Sequence, residues 1–274
     1  MTELVALVTG ATSGIGEASA RALRDRGYVV YAAGRRLDRL EALAGERLIP
    51  LELDVADERS RARAIEKIIA EQGRIDVLVN NAGYGAQGAI EDTPLDEARQ
   101  QFDVNVFGPI ALVQLALPHM REQKSGRIVN VTSVGGKIYS LLGGWYHGSK
   151  FALESLSDCL RIEVAPFGIQ VSVIEPGAIA TEWGSIAADN LERVSGNGPY
   201  RKDALAVAAN IRSFSAGGKA SPASVVAGTI LRAATDARPK TRYAIGRNAK
   251  LILAARRLLT DRGFDALTRR GVDG

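Results

Sequence analysis

The chain has 274 residues, 46% of them hydrophobic and 24% charged, which suits one large or two small globular domains with a substantial core. Its 35 basic and 31 acidic residues leave a net charge of +4, too mild at this length to indicate nucleic acid. The single cysteine, Cys159, excludes an internal disulfide, fits a reducing, cytoplasmic setting, and lies in a helical pattern where a small buried group is expected. No Cys/His cluster has ligand spacing, so no metal is expected, and neither a leader peptide nor a bilayer-length apolar run is evident.

Leu4 to Val8 is a short apolar run, read as a parallel strand buried on both faces. Thr9-Gly10-Ala11-Thr12-Ser13-Gly14-Ile15-Gly16 follows, then a helical pattern from Glu17 to Arg26. Strand, glycine turn, helix is a dinucleotide-binding arrangement. The glycines let the backbone approach a pyrophosphate, and the helix N-terminus offers free N–H groups to the anion. The spacing is Gly-x-x-x-Gly-x-Gly rather than Gly-x-Gly-x-x-Gly. Gly10, Thr12, Ser13, Gly14, Ile15 and Gly16 are therefore the first candidate cofactor contacts.

Tyr28 to Ala33 reads as the second strand. A protein choosing NAD(H) usually ends this strand with an acid that holds the ribose 2′-hydroxyl. Near that position stands Gly34, followed by Arg35 and Arg36. Without a carboxylate a 2′-phosphate meets no repulsion, and an arginine fork can grip it. The expectation is NADP(H) in preference to NAD(H), with Arg35 the nearer contact; the competing reading makes both arginines solvated starters of the next helix.

Leu48 to Leu53 is a third strand ending in Asp54-Val55, where Asp54 could accept from an adenine amino group while Val55 covers the ring. Ile75 to Val79 is a fourth, ending in Asn80-Asn81-Ala82-Gly83, a turn that could support the strand ends and pass beneath a cofactor ribose. Pro94 to Met120 is mostly helical but interrupted near Asn105, because an interior asparagine competes for local backbone bonds. A bulge there could hold a water. Arg127 to Val131 is a fifth strand leading to Thr132-Ser133, and Val171 to Ile174 a sixth leading to Glu175-Pro176-Gly177. Unbroken strand–helix alternation over 4–175 demands a doubly wound parallel sheet with helices on both faces, and no linker separates two domains.

Tyr146 and Lys150 stand four residues apart at the head of a helical pattern running to about Val164, so they share a face. A neighbouring ammonium favours the phenolate. Bringing a phenol near neutrality requires a shift of about 3 units, roughly 4 kcal/mol, part of it from Lys150 and part from a cationic cofactor ring. His147 points about 100° away from Tyr146 around the helix and is read as structural.

These motifs together resemble the short-chain dehydrogenase/reductase family: Thr9-Gly10…Gly14-Ile15-Gly16, Asn80-Asn81-Ala82-Gly83, Asn105, Ser133, Tyr146…Lys150 and Pro176-Gly177…Thr181, in the family's order over about residues 4–245. The resemblance implies an α/β, three-layer, doubly wound Rossmann fold with a seven-stranded parallel sheet. It implies hydride transfer between NADP(H) and a carbonyl or alcohol. Tyr146 would be the acid in reduction, Lys150 would lower its pKa and hold the nicotinamide ribose, and Ser133 would bind the substrate oxygen. Asn105 would hold a relay water, Thr181 would touch the carboxamide, and Pro176-Gly177 would wall the ring. With Asn81, Ala82, Gly83, Asp54 and Val55, these complete the expected cofactor set. The family also implies a homodimer or homotetramer through the helices around 105–120 and 146–164.

Residues 182–220 are long for a connection and read as a mobile lid with short helices. Trp183, Ile186, Leu191, Tyr200 and Phe214, with Leu141, Leu142 and Trp145, could line an apolar pocket, and the family resemblance implies steroid-, retinoid- or other bulky ketone-like substrates for it; the alternative is that they pack the lid onto the domain. Between Arg238 and Arg270 there are ten Lys/Arg against Asp261 and Asp265. The helical tail, 247–274, is expected to pack on the domain or a partner subunit rather than on an anionic membrane. The whole chain, 1–274, is thus one oxidoreductase domain. A non-catalytic NADP(H) sensor is the rival reading, and intact Ser133, Tyr146 and Lys150 weigh against it.

Overall fold

The computed structural model describes residues 3–216 and 220–273. In chain order the strands are β1 (Val5–Thr9), β2 (Val29–Gly34), β3 (Leu48–Glu52), β4 (Val77–Asn80), β5 (Gly126–Val131), β6 (Ile169–Pro176), β7 (Ile179–Ala180), β8 (Ser221–Pro222) and β9 (Arg242–Ile245). All but β7 and β8, which pair with each other, form one seven-stranded sheet in the order β3-β2-β1-β4-β5-β6-β9. Every pairing in it is parallel.

The helices are α1 (Gly14–Asp25), α2 (Leu37–Glu41), α3 (Glu58–Gln72), α4 (Leu95–Phe102), α5 (Gly108–Glu122) and α6 (Gly144–Val164). Then come α7 (Trp183–Ser195), α8 (Arg201–Ala216), α9 (Ala223–Thr235), α10 (Ala249–Leu258) and α11 (Asp261–Asp273). Successive strand residues point to opposite faces, and two cores result. Val5 and Leu7 join Ile65 and Ile68 of α3, Leu112 of α5 and Leu160 of α6. Ala6 and Val8 join Ala20 and Leu23 of α1, Leu40 of α2 and Ile230 of α9. Both faces being covered explains why β1 is apolar without alternation.

The expected interruption near Asn105 is a π-helical turn, Asp103–Phe107, between α4 and α5; the Gly108 N–H reaches the Asp103 carbonyl five residues back. Two expectations need correction. The segment 182–220 contains two full helices of 13 and 16 residues rather than short ones. They pack on each other around Leu142, Ala188, Leu191, Ala204 and Ala208; Gly217 and Gly218 lie outside the described residues. Cys159 is exposed on α6, because the helix turns Leu160, not its neighbour, to the core. In the tail, α11 buries Phe264 completely against the domain, whereas α10 leaves Leu251 and Leu258 70% and 84% exposed. No helix among the described residues is long and apolar enough to cross a membrane.

Candidate active site

The sequence-predicted residues gather at the carboxyl edge of the sheet, beyond the ends of β1 to β6 and at the head of α6. Ligands bind at this edge in open parallel sheets because helix N-termini and strand-end turns converge there.

The glycine turn after β1 is sewn to the turn after β4. The Thr9 hydroxyl donates to the Val79 carbonyl at 3.3 Å and accepts from the Asn81 and Ala82 N–H groups at 3.0 Å each. The Asn81 amide donates to the Thr9 and Gly10 carbonyls at 2.9 and 3.3 Å. The Asn81 side chain therefore holds the turn itself. Thr9, absent from the expected contacts, is the other half of this clasp; its sequence signal was only its place before Gly10.

This cradle fits a dinucleotide. Gly10 and Gly14 have φ of +66° and +57°, and a Cβ on Gly16 would fall on the Gly10 carbonyl and within 2.6 Å of Asn81 Nδ2. Ser13, the N-cap of α1, makes no side-chain capping bond, so the first-turn N–H groups around Gly14, Ile15 and Gly16 keep no side-chain partner there. At the other end, a Cβ on Gly83 would lie 3.1 Å from Asn105 Oδ1 and 3.5 Å from Lys150 Nζ. Asp54 accepts from the Ala56 N–H at 2.9 Å, and Val55 is 6% exposed.

The two arginines after β2 behave differently. Arg36 donates to Thr12 Oγ1 at 2.7 Å and to Ser13 Oγ at 3.2 Å, and ion-pairs with Glu182 at 3.4 Å. Arg35, expected as the nearer contact, makes no hydrogen bond or ion pair among the described residues; its charge is felt by the Tyr84 phenol. The structure thus brings Arg36, not Arg35, onto the glycine turn.

The catalytic candidates cluster. Tyr146 is 8% exposed and within hydrogen-bond reach of Ser133. Ser133 Oγ also accepts from the Gly135 N–H at 2.9 Å, which orients it. Lys150 is 6% exposed and donates to the Val131 carbonyl at 3.1 Å. Burial lowers its pKa to about 8, with Glu154 pulling it back up. The Tyr146 phenol differs from expectation: burial pushes it up to about 12, and the Ser133 hydrogen bond offsets only part. The chain's own groups keep it protonated, because desolvation outweighs the one hydrogen bond that favours the phenolate.

Asn105 is held on three sides. Its Oδ1 accepts from the Tyr84 N–H at 3.1 Å, and its Nδ2 donates to the Tyr84 carbonyl at 3.0 Å and Ser149 Oγ at 3.1 Å. Both Nδ2 protons are used, so any water held here meets Oδ1 or main chain. His147 links Gly135 O at 2.9 Å and Ser140 Oγ at 2.8 Å. With Nδ1–H donating to the carbonyl, Nε2 accepts from the hydroxyl, and burial lowers its pKa, so the ring is neutral and structural.

Thr181 packs over Gly14, whose Cβ would come within 3.0 Å of its Cγ2. The Gly177 N–H donates to the Ile245 carbonyl at 2.8 Å, and a Cβ there would meet Arg247 O at 2.5 Å, so the Pro176-Gly177 wall is tightly backed. Trp183 lies over the Tyr146 ring, centroids 5.2 Å apart. Leu142 instead joins the α7/α8 core, and Trp145 packs edge-on against Phe102 at 6.5 Å. Behind the cluster lies an acid network that sequence reasoning missed. Glu154 and Glu175 are 2% and 3% exposed, and Glu154 Oε1 accepts from Thr132 Oγ1 at 2.6 Å. The available signal was Glu154 falling four residues after Lys150 on the same buried helix face.

The sequence model of the short chain dehydrogenase family matches residues 4–191. A probable short-chain type dehydrogenase/reductase, VdlC, from Helicobacter pylori is 38% identical over 98% of this chain and 98% of its own. A 3-ketodihydrosphingosine reductase from Bacteroides thetaiotaomicron is 40% identical over 65% of this chain and 64% of its own. The crystal structure of a short-chain dehydrogenase from Streptomyces avermitilis is 34% identical, with a TM-score of 0.80 over 92% of each chain. The chain belongs to the short-chain dehydrogenase/reductase family: it is a Rossmann-fold oxidoreductase that binds a nicotinamide dinucleotide and a small-molecule substrate.

Proposed function

We propose that this protein is an NADP(H)-dependent reductase of bulky, lipophilic carbonyl compounds, working through Ser133, Tyr146, Lys150 and Asn105. The observation that carries the reading is the pairing of a buried, protonated Tyr146 with Ser133, one helical turn from a buried Lys150. Bound NADPH supplies the hydride. Ser133 and Tyr146 converge on one point where a carbonyl oxygen gains negative charge, so both hydroxyls stabilise it. Tyr146 donates its proton to that oxygen, and a phenol kept neutral by burial is the correct starting form for an acid. Lys150 places a cation beside the Gly83 turn, where a ribose hydroxyl can be held. Asn105 braces Tyr84 and Ser149 around the pair.

Gly10, Thr12, Ser13, Gly14, Ile15 and Gly16 hold the diphosphate, Asp54 and Val55 the adenine, Ala82 and Gly83 a ribose, and Pro176, Gly177 and Thr181 the nicotinamide side. Asn81 acts through the turn. Three features support NADP(H) over NAD(H). Arg36 stands on Thr12 and Ser13, Arg35 makes no hydrogen bond or ion pair among the described residues, and a side chain at Gly34 would meet the Thr12 methyl at 2.7 Å, which obstructs an NAD-type acid. The Trp183 indole beside Tyr146, and the relative named for 3-ketodihydrosphingosine, support a bulky apolar ketone. Subunits pair in this reading through α6 and through α5 with the π-turn before it, where Phe107 of the turn and Phe151 and Ile162 of α6 are 61%, 44% and 72% exposed. Sedimentation velocity tests the pairing: a monomer at micromolar concentration discards it.

The central test is Tyr146→Phe assayed with NADPH against long-chain and polycyclic ketones. Turnover is expected to fall at least about 1,000-fold while NADPH still binds, within the range of lost acid catalysis and oxygen stabilisation. Retained turnover discards Tyr146 as the acid, and equal binding of NADH and NADPH discards the cofactor preference.

A further inference from the structure

Three consecutive residues, from the end of β7 to the first position of α7, touch three separate parts of the cofactor trough. Thr181 packs on Gly14 of the glycine turn. Glu182 ion-pairs with Arg39 at 3.0 Å and with Arg36 at 3.4 Å. Trp183 lies over Tyr146, and a Cβ on Gly85 would meet its Cζ2 at 2.6 Å. The link is short, with β7 pairing to β8 on one side and α7 starting at Trp183 on the other. Glu182 is thus joined directly to Trp183, with no loop residue between them.

Arg36 already stands at the glycine turn through Thr12 and Ser13, and its remaining contact is Glu182. Arg39, on α2, gives Nη1 to both Glu182 oxygens at 3.0 and 3.2 Å. A carboxylate between two guanidiniums uses the donors that a phosphate would use. We propose that Glu182 is a cofactor-specificity residue, whose carboxylate holds the two arginines that a ribose 2′-phosphate takes and is displaced by it. The proposal rests on the NADP(H) reading above and adds to it a competitor and a coupling. Occupation of the phosphate end shifts Trp183 at the catalytic end. A phosphate dianion carries up to twice the charge of Glu182, and the side chains of Glu182, Arg36 and Arg39 are 49%, 43% and 43% exposed, so the displaced pairs are weak ones.

Glu182→Gln removes the competing charge and keeps the shape. NADPH is expected to bind about fivefold tighter to it by calorimetry, the scale of one exposed ion pair, with NADH unchanged. For the coupling, Trp145→Phe leaves Trp183 as the sole indole, since the chain has two tryptophans. In that background adenosine 2′-monophosphate is expected to change Trp183 emission, adenosine 5′-monophosphate much less, and adding Glu182→Gln to shift the emission before any ligand is present. Unchanged NADPH affinity in Glu182→Gln overturns the competition. Adenosine 2′-monophosphate that binds without altering Trp183 emission overturns the coupling. If it fails to bind while NADH binds, the NADP(H) reading falls and this proposal with it. The calorimetric arm uses Glu182→Gln alone, so it stands even where the Trp145 change perturbs packing.

Discussion

Arg242 on β9 donates to the Glu154 carboxylate of α6 through Nη2 at 2.8 Å and Nε at 3.0 Å. The same guanidinium reaches Asp158 at 2.6 Å and lies 3.2 Å from Glu175 Oε1, without hydrogen-bond alignment to that oxygen. Lys137 adds a second cation, 3.2 Å from Glu154. One arginine thus offsets much of the charge of three acids directly behind the catalytic cluster. Removing it strands buried carboxylates, so Arg242→Met is expected to lose about 3–5 kcal/mol of stability at pH 8. The loss should shrink at pH 5, because stranded carboxylates take up protons. Urea unfolding at both pH values checks this; equal losses would put the cost in packing instead.

Glu175 has a pH dependence opposite to that of an ordinary paired acid. Burial first, and the neighbouring Glu154 second, raise its pKa from 4.5 to about 7. An acid raised by folding keeps a proton that the unfolded chain has already released, so stability falls as pH climbs from about 4.5 to about 7 and stays lower above. Asp158 runs the other way. Lowered to about 2 by Arg242 and then Arg161, it stabilises above 3.8 and loses that contribution as pH falls through about 2. Glu175→Gln is expected to match the parent protein at pH 4.5 and to exceed it by about 1–3 kcal/mol at pH 8. A variant no more stable at pH 8 would show that folding does not raise the Glu175 pKa.

Lys150 carries a cost for its chemistry. Burial depresses its pKa from 10.5 to about 8. A cation depressed by folding destabilises fully below its folded pKa, and the penalty is relieved as pH rises from about 8 to 10.5. At pH 7 the penalty is on the order of 3 kcal/mol, and the bond to Val131 O returns about 1 kcal/mol. Lys150→Met is therefore expected to lose turnover yet gain about 2 kcal/mol at pH 7, the gain fading toward pH 10.5. Thermal melts across that range are the check. A less stable variant at pH 7 would mean that the Val131 and Glu154 contacts outweigh desolvation.

The positions of six sheet strands and of the motifs at their ends were legible because each is a short apolar run closed by a glycine or polar turn, as at Leu4 to Gly10. The break near Asn105, though not its π-helical form, was legible because an interior asparagine competes for local backbone bonds. What was not legible depends on partners distant in sequence. Arg35 and Arg36 are adjacent cations with the same chemistry, and only Thr12, Ser13 and Glu182 select Arg36 for the glycine turn. The Tyr146 pKa was misread because helical spacing shows a nearby lysine but not that Val131 O engages it and that burial dominates. Glu154 drew no reading from the sequence, because its partner Arg242 comes across from β9, 88 residues along the chain.

The exclusion of an acid at Gly34 gives the most direct test of cofactor choice. A Cβ there would lie 2.7 Å from Thr12 Cγ2 but 3.9 Å from Thr12 Cβ, so Thr12 obstructs only through its methyl. Gly34→Asp alone is expected to disturb the glycine turn and weaken both cofactors. Adding Thr12→Ala removes the methyl and one of Arg36's acceptors, which seats the carboxylate and loosens the arginine together. The double variant is then expected to bind NADH and to reject the 2′-phosphate by like-charge repulsion, a swing in preference of about 10- to 100-fold, or roughly 1.4–3 kcal/mol. Calorimetric titration with both cofactors, beside a melting curve to confirm the fold, decides it. A folded double variant that still prefers NADPH would show that the arginines alone set the choice and that the narrow space at Gly34 plays no part.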